Sequence, residues 1–447
     1  MMFPLQVAVV VGASGLWEGS TLPSSLAKMA LLAVSGAALL LSGLRGAWLA
    51  LALATGLWLM RRSVQRHPTR SPGRVRLAVV SFCLLGAAFA WAVAPWLRAV
   101  AASRADRLLV WQHSWELAWD YFLTGLGLGN FPMANSSYAL LVHVPHTMHA
   151  HNLFLDIWLE QGLLGLISFC WLAVVALRSG LAGPSQDPHR NARRFHWRDA
   201  ALVSLTVVLL HGLVDDVMYG YEGVGSAFLF VPIGLLARDE CRIERAAIPP
   251  AWRSGPFIWG LGAMALLVAA WAPAGRSQYR ANWGALLQTR TELSRYQWPR
   301  WPVQDALRRA ASEDLSDAIG YYQSALSNDP ENAVANRRLG QIELSLGLYE
   351  SARGHLSRAH QAAPRHLATR QLYGESLAVT GAIDQAAEIW RPLALEEDQL
   401  EIRRRWYLSI NEHEHAEQIA EAISLRHSAG GWPSRQASAY SMTLSSQ

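Results

Sequence analysis

The chain has 447 residues, enough for two or three domains, with 51% apolar side chains, 20 tryptophans and a net charge of +5. Its arginines cluster in short loops beside apolar runs rather than along one face of a folded domain, which excludes a nucleic-acid footprint. Cys83 and Cys170 lie in apolar runs and Cys241 in a basic loop, so a disulfide framework is excluded too.

Leu, Ala, Val, Trp and Gly dominate up to about Gly275, and Arg, Glu and Gln thereafter. The pattern predicts an all-α protein: a polytopic transmembrane helical bundle over 1–275, then a soluble α-solenoid over 276–435 and a disordered tail over 436–447. The start, Met1-Met2-Phe3-Pro4, has no basic n-region and is not read as a cleavable signal peptide.

Residues 5–17 are apolar but too few to span, since ~20 residues cross the hydrocarbon. Residues 25–42 and 45–60 are better candidates, separated by Ser42-Gly43-Leu44-Arg45. The loop that follows carries Arg61, Arg62, Arg66, Arg70, Arg74 and Arg76 with no acid, which marks it as cytoplasmic and puts Arg45 on the periplasmic side. Residues 77–97 span outward, and a long periplasmic loop runs from about 98 to 161. Residues 162–178 return to a basic loop with Arg178, Arg190, Arg193, Arg194 and Arg198. A short pair, 200–214 and 224–237, leads to a third basic loop holding Arg238, Arg242, Arg245 and Arg253. With 257–273 as a last outward span, all three basic loops share one side and the C-terminal domain lies on the other. The expected arrangement is therefore a multi-pass membrane protein with the long loop and the C-terminal domain on the side away from the cytoplasm.

Within the long loop, Leu108, Trp111, Trp115, Trp119 and Phe122 recur at helical spacing, predicting an amphipathic helix over 103–122. Its indoles suit either the headgroup level or packing on neighbouring spans. Arg107 immediately precedes the stripe. The turn Gly125-Leu126-Gly127-Leu128-Gly129 offers a phosphate cradle or, preferably, a bend. His143, His146, His149 and His151 follow. Histidine ligates metals readily, but this spacing fits no compact helical ligand pair and no cysteine is near, so no metal site is expected. Asn152 stands where an apolar helix begins and is placed to cap it. His211, Asp215 and Asp216 sit at the outer end of a span, either binding acceptor sugar or capping the helix.

The C-terminal region repeats. Ala318, Ala352 and Ala386 are 34 apart, as are Tyr322, Leu356 and Trp390; Ala325 and Ala359; Pro330 and Pro364; Gly340 and Gly374; Gly347 and Gly381. Over roughly 315–395 this resembles the tetratricopeptide pattern, whose stacked helix pairs either bind a protein partner or serve as a spacer.

His151-Asn152 followed by Gly162-Leu163-Leu164-Gly165, Ser42-Gly43-Leu44-Arg45-Gly46-Ala47, and Arg107 through Asp120 to Gly125-Leu126-Gly127 together resemble the O-antigen ligase and polymerase superfamily over roughly residues 25–240. That resemblance implies a membrane glycan transferase without metal or other cofactor. It would move a polysaccharide from an undecaprenyl diphosphate-linked glycan donor to a glycan or lipid acceptor. It further implies that Arg45 and Arg107 hold the diphosphate, for which guanidinium forks are suited. His151 would take the proton of the acceptor hydroxyl, with Asn152, His149 and Asp215 binding substrate. The family's further spans before the arginine motif are not found here, so Met1 is expected to lie inside a longer reading frame.

Bland alternatives stand beside these roles. Arg45 can anchor a helix end at the headgroups, and Arg107 can pair with Asp106 or Asp120 on its own helix. For the whole chain, the competing readings are a membrane-anchored scaffold with a degenerate ligase-like half and a metal-dependent membrane hydrolase using the histidines.

Overall fold

The computed structural model describes residues 45–66, 102–139, 147–181, 188–215, 224–240, 272–294, 304–310, 314–393 and 397–428. Every regular element among them is an α-helix, as the sequence predicts. The apolar runs 5–17, 25–42 and 77–97, almost all of 257–273, and the tail 436–447 lie outside the described residues. The chain divides into two compact units. One comprises Met1–Ala118, Phe122–Pro132 and Thr147–Gly262; the other comprises Trp119–Tyr121, Met133–His146 and Ala263–Gln447.

The first unit is built on α1 (Arg45–Arg66), most of α2 (Ala102–Asp120), α4 (Leu153–Leu181), α5 (Pro188–His211) and α6 (Val224–Glu240); a short α3 (Phe131–Ala139) follows α2. Ala50 and Ala54 of α1 pack on Val203 and Val207 of α5, the small side chains letting the two backbones approach closely. Leu153, Ile157 and Phe169 of α4 form a core with Leu202, Leu205 and Val208 of α5 and Leu229, Ile233 and Leu236 of α6.

Among the described residues α4 alone is long and apolar enough to cross a membrane. Its 29 residues extend about 43 Å at ~1.5 Å each, beyond the ~30 Å of a hydrocarbon core. Only 28% of its most apolar stretch is buried. Leu164, Ile167, Trp171 and Val174 form an exposed apolar stripe along one side, as a lipid-facing helix requires. Residues Gly46–Arg61 of α1 form a shorter apolar helix. The loop boundary at residue 161 needs revision: α4 starts nine residues earlier and runs through a kink at Gly162 (φ 70°, ψ −175°).

The two ends of this helix packing differ in chemistry. At one end Arg61 donates to the Leu181 carbonyl at 3.0 Å, and Arg198 donates to the Ser179 carbonyl. Both satisfy carbonyls that the last turn of α4 leaves without helical partners. The first turns of α1 and α4 and the last turn of α5 lie at the other end, where Gly46 backs onto His211 and Leu153 N–H donates to Gly212 O. Arginines of two basic loops thus lie at the opposite end from His151.

The second unit carries α7 (Pro273–Ser294), α8 (Gln304–Arg309), α9 (Ser316–Leu326), α10 (Ala333–Leu346), α11 (Tyr349–Ala362), α12 (Leu367–Val379), α13 (Ile383–Trp390), α14 (Glu397–Ser409) and α15 (His413–Ser428). The 34-residue positions are its packing code. Ala318, Ala352 and Ala386 are buried, and so are Tyr322, Leu356 and Trp390. A Cβ on Gly340 would collide with Leu356, and one on Gly374 with Trp390, so each glycine admits the large residue of the following helix. Gly284 admits Tyr322 in the same way, although it precedes Gly340 by 56 residues rather than 34. The array therefore reaches back to α7. An inserted stretch containing α8 hides that first pair from the periodicity. Leu400, Tyr407, Ala416, Ile419 and Ala422 extend the core through α14 and α15.

A balanced set of buried charges runs through this unit. Asp120 is fully buried and accepts from Arg337 and Arg338, the latter through Nε at 2.9 Å. Glu292 accepts from Arg308 at 2.7 Å, while Arg403 donates to Asp305 at 2.8 Å and to Glu375 at 2.7 Å. Gln278 and Asn282 donate to the Trp119 carbonyl, closing the last turn of α2. Asp120 is therefore engaged by Arg337 and Arg338.

Removing one member of such a set leaves its partner buried without compensation. Arg403→Ala should destabilise the unit by about 3–5 kcal/mol, read as a lower midpoint in denaturant unfolding of the full chain. The carboxyls also make the unit acid-labile. Burial alone would raise the pKa of Asp305, but Arg403 beside it overrides this and holds the group at about 2. The same opposition, won by the arginines, leaves Asp120 and Glu292 below the ordinary carboxylate range. A depressed folded-state value stabilises above the unfolded value of roughly 4 and is lost as pH falls through it. Helical circular dichroism of the repeat unit should thus melt at markedly lower temperature at pH 3 than at pH 6.

Candidate functional site

His151 lies in the tight segment entering α4. Its backbone is left-handed at φ 53°, a conformation that costs a residue with a Cβ about 1–2 kcal/mol. Four hydrogen bonds hold it there. Ala150 N–H donates to Asp156 Oδ1 at 2.7 Å, and Trp111 Nε1 of α2 donates to the His151 carbonyl at 3.2 Å. Asn152 Nδ2 donates to Leu213 O at 3.0 Å, and Leu153 N–H to Gly212 O at 2.7 Å. The carbonyl of Asn152's side chain accepts from Phe154 and Leu155 N–H at 3.1 Å each, the helix cap that its position predicts. Both ends of the Asn152 amide thus shape the turn.

The imidazole is held as well. His151 Nδ1 lies 2.9 Å from Asp215 Oδ1, with the histidine partly exposed and the aspartate buried. The His149 ring lies against that of His151, centroids 4.3 Å apart. His149, His151 and Asp215 each present one donor atom within 4.8 Å of the others. The histidine spacing predicts no metal site; the missing partner was an aspartate 64 residues away, on the far side of α5. His143, His146 and Asp216 lie outside the described residues.

Arg45 and Arg107 are in α1 and α2, but their side chains lie outside the described residues. Their neighbours are well placed. A Cβ on Gly46, next to Arg45, would lie 3.2 Å from Val214 and 3.5 Å from His211 Nε2, in the turn that leads to Asp215. Arg107 precedes Trp111 by one helical turn, and Trp111 bonds the His151 carbonyl. Trp115 meets Trp158 edge-on at 5.2 Å while keeping one side exposed, so the tryptophan stripe is partly packed and partly open. In the same helix, burial lowers the pKa of His113 to about 4 and keeps it neutral.

The glycine turn is a bend, not a phosphate cradle. The Gly162 kink frees the carbonyls of Leu159 and Glu160, and the turn supplies their donors: Leu126 N–H at 2.7 Å and Gly127 N–H at 2.9 Å. Gly129 N–H donates to the Glu160 carboxylate at 2.9 Å, while Phe122 O accepts from Leu163 N–H and Trp158 Nε1. Gly125 and Gly162, both left-handed, face each other where neither could carry a side chain. Sequence reasoning missed Asp156, Trp158 and Glu160, which fix this loop. The one available signal was an acid in the first turn after the Asn152 cap.

No curated protein matches the chain in sequence. Family models do match in two places: that of O-antigen ligase over residues 30–170, which includes His151 but not Asp215, and that of a tetratricopeptide repeat over 309–359. The chain thus joins a region similar to O-antigen ligases to a region similar to tetratricopeptide repeats.

Proposed function

We propose that the chain is a multi-span glycan transferase of the bacterial inner membrane, with its long loop and repeats in the periplasm. It moves a glycan from undecaprenyl diphosphate to a hydroxyl of a second glycan or of a lipid. The observation that carries this reading is the 2.9 Å pair of His151 and Asp215, at the end of the helix packing away from the basic loops. With Nδ1 protonated and turned to Asp215, Nε2 of His151 keeps a lone pair for the acceptor hydroxyl. As that proton moves to Nε2, the hydroxyl oxygen attacks the anomeric carbon and the carbon–diphosphate bond breaks. The lipid diphosphate leaves with the bonding electrons. Arg45 and Arg107 hold its oxygens and stabilise the growing charge. His149 and the buried Asp215 face the acceptor, and Asn152 acts by holding the turn. The repeat unit engages a protein of envelope assembly.

The test is made in cells. His151→Ala or Arg107→Ala should abolish surface polysaccharide at normal protein level. Unchanged polysaccharide would instead favour a scaffold with an inactive membrane half.

A further inference from the structure

The same turn has the makings of a cation site. His149, His151 and Asp215 bring two imidazoles and a carboxylate together, their donor atoms within 4.8 Å of one another. Around a zinc ion, with bonds of roughly 2.0–2.2 Å, donors lie about 3–3.5 Å apart. His151 Nδ1 and Asp215 Oδ1 are already at 2.9 Å and no pair exceeds 4.8 Å, so side-chain rotations of about 1 Å bring the three donors to zinc distance. Asp156, Trp111, Leu213 and Gly212 hold the backbone of residues 150–153 in place around it. Imidazole nitrogen with one carboxylate is a donor set suited to zinc, cobalt and nickel rather than to magnesium or calcium.

We propose that His149, His151 and Asp215 form a reversible site for a zinc-class cation, and that its occupancy switches transfer off. The inhibitory part rests on His151 being the proton acceptor. A cation between His151 and Asp215 takes the Nδ1 lone pair, so the ring's remaining proton sits on Nε2. That nitrogen then has no lone pair to receive the acceptor's proton, and Asp215 is withdrawn from orienting the ring. No bond of the substrate is made or broken by the cation.

Two measurements on the purified, chelator-treated full chain in detergent test this. In the first, Co2+ is titrated and its visible absorption followed, with Zn2+ as competitor. One ion per chain should bind, and His149→Ala and Asp215→Asn should each weaken binding at least tenfold. Absence of a saturable band, or unchanged binding in both variants, would overturn the site. In the second, equimolar Zn2+ should slow glycan transfer at least tenfold and a chelator restore it. A rate that is unchanged or raised by Zn2+ would overturn the switch. The two readings fail separately: transfer surviving in His151→Ala removes the base, while the Co2+ titration still decides the site.

Discussion

Replacing His151 by Asn should lower the rate of glycan transfer by roughly 10²–10⁴-fold, the usual contribution of a general base. Asn is the informative substitution because it tolerates the left-handed backbone that His151 adopts at φ 53°. The Trp111 and Ala150 hydrogen bonds involve main-chain atoms, so they persist in the variant. Asp215→Asn should cost less than loss of the imidazole, since the ring remains but its tautomer is no longer enforced. A reconstituted assay with defined lipid-linked donor measures both. Equal rates in wild type and His151→Asn would remove the imidazole from the chemistry.

Gly162→Ala should prevent stable folding of the membrane unit, with a cost of roughly 3 kcal/mol or more. The added methyl would meet the Leu123 carbonyl, in a backbone that L side chains rarely adopt. Gly125→Ala should behave alike, because its Cβ would lie 2.5 Å from Glu160 O and from Gly162 N. Gly129 is the internal control. It shares the positive φ but has open space around it, so Gly129→Ala should cost only the local strain of about 1 kcal/mol. Thermal aggregation of detergent-solubilised variants gives the order: Gly129→Ala close to wild type, the other two far below.

Much of this was legible in the sequence, for reasons that can be named. The Asn152 cap was readable because a capping side chain acts within three residues of itself. The repeat was readable at Ala352, Leu356 and Gly340 because packing positions recur with the period. Gly284 was not, since the inserted α8 breaks the register while leaving its fit to Tyr322 intact. The glycines at 125, 127 and 129 suggested a bend, but their partner, the Gly162 kink, lies some 35 residues downstream. Nothing local announces which carbonyls such a kink frees. Asp215 was read as a sugar ligand or a cap. Its pairing with His151 depends on α4 and α5 packing side by side, which no spacing encodes. Asp120 likewise found its arginines in the repeat unit, more than 200 residues away.

Binding and turnover of the lipid diphosphate donor, measured separately on the same purified variants, bear most directly on the division of labour between the arginines and His151. The account predicts that Arg45→Ala and Arg107→Ala weaken donor binding at least tenfold, whereas His151→Asn binds donor normally and fails to transfer it. Normal donor binding in both arginine variants, or loss of binding rather than turnover in His151→Asn, would contradict it.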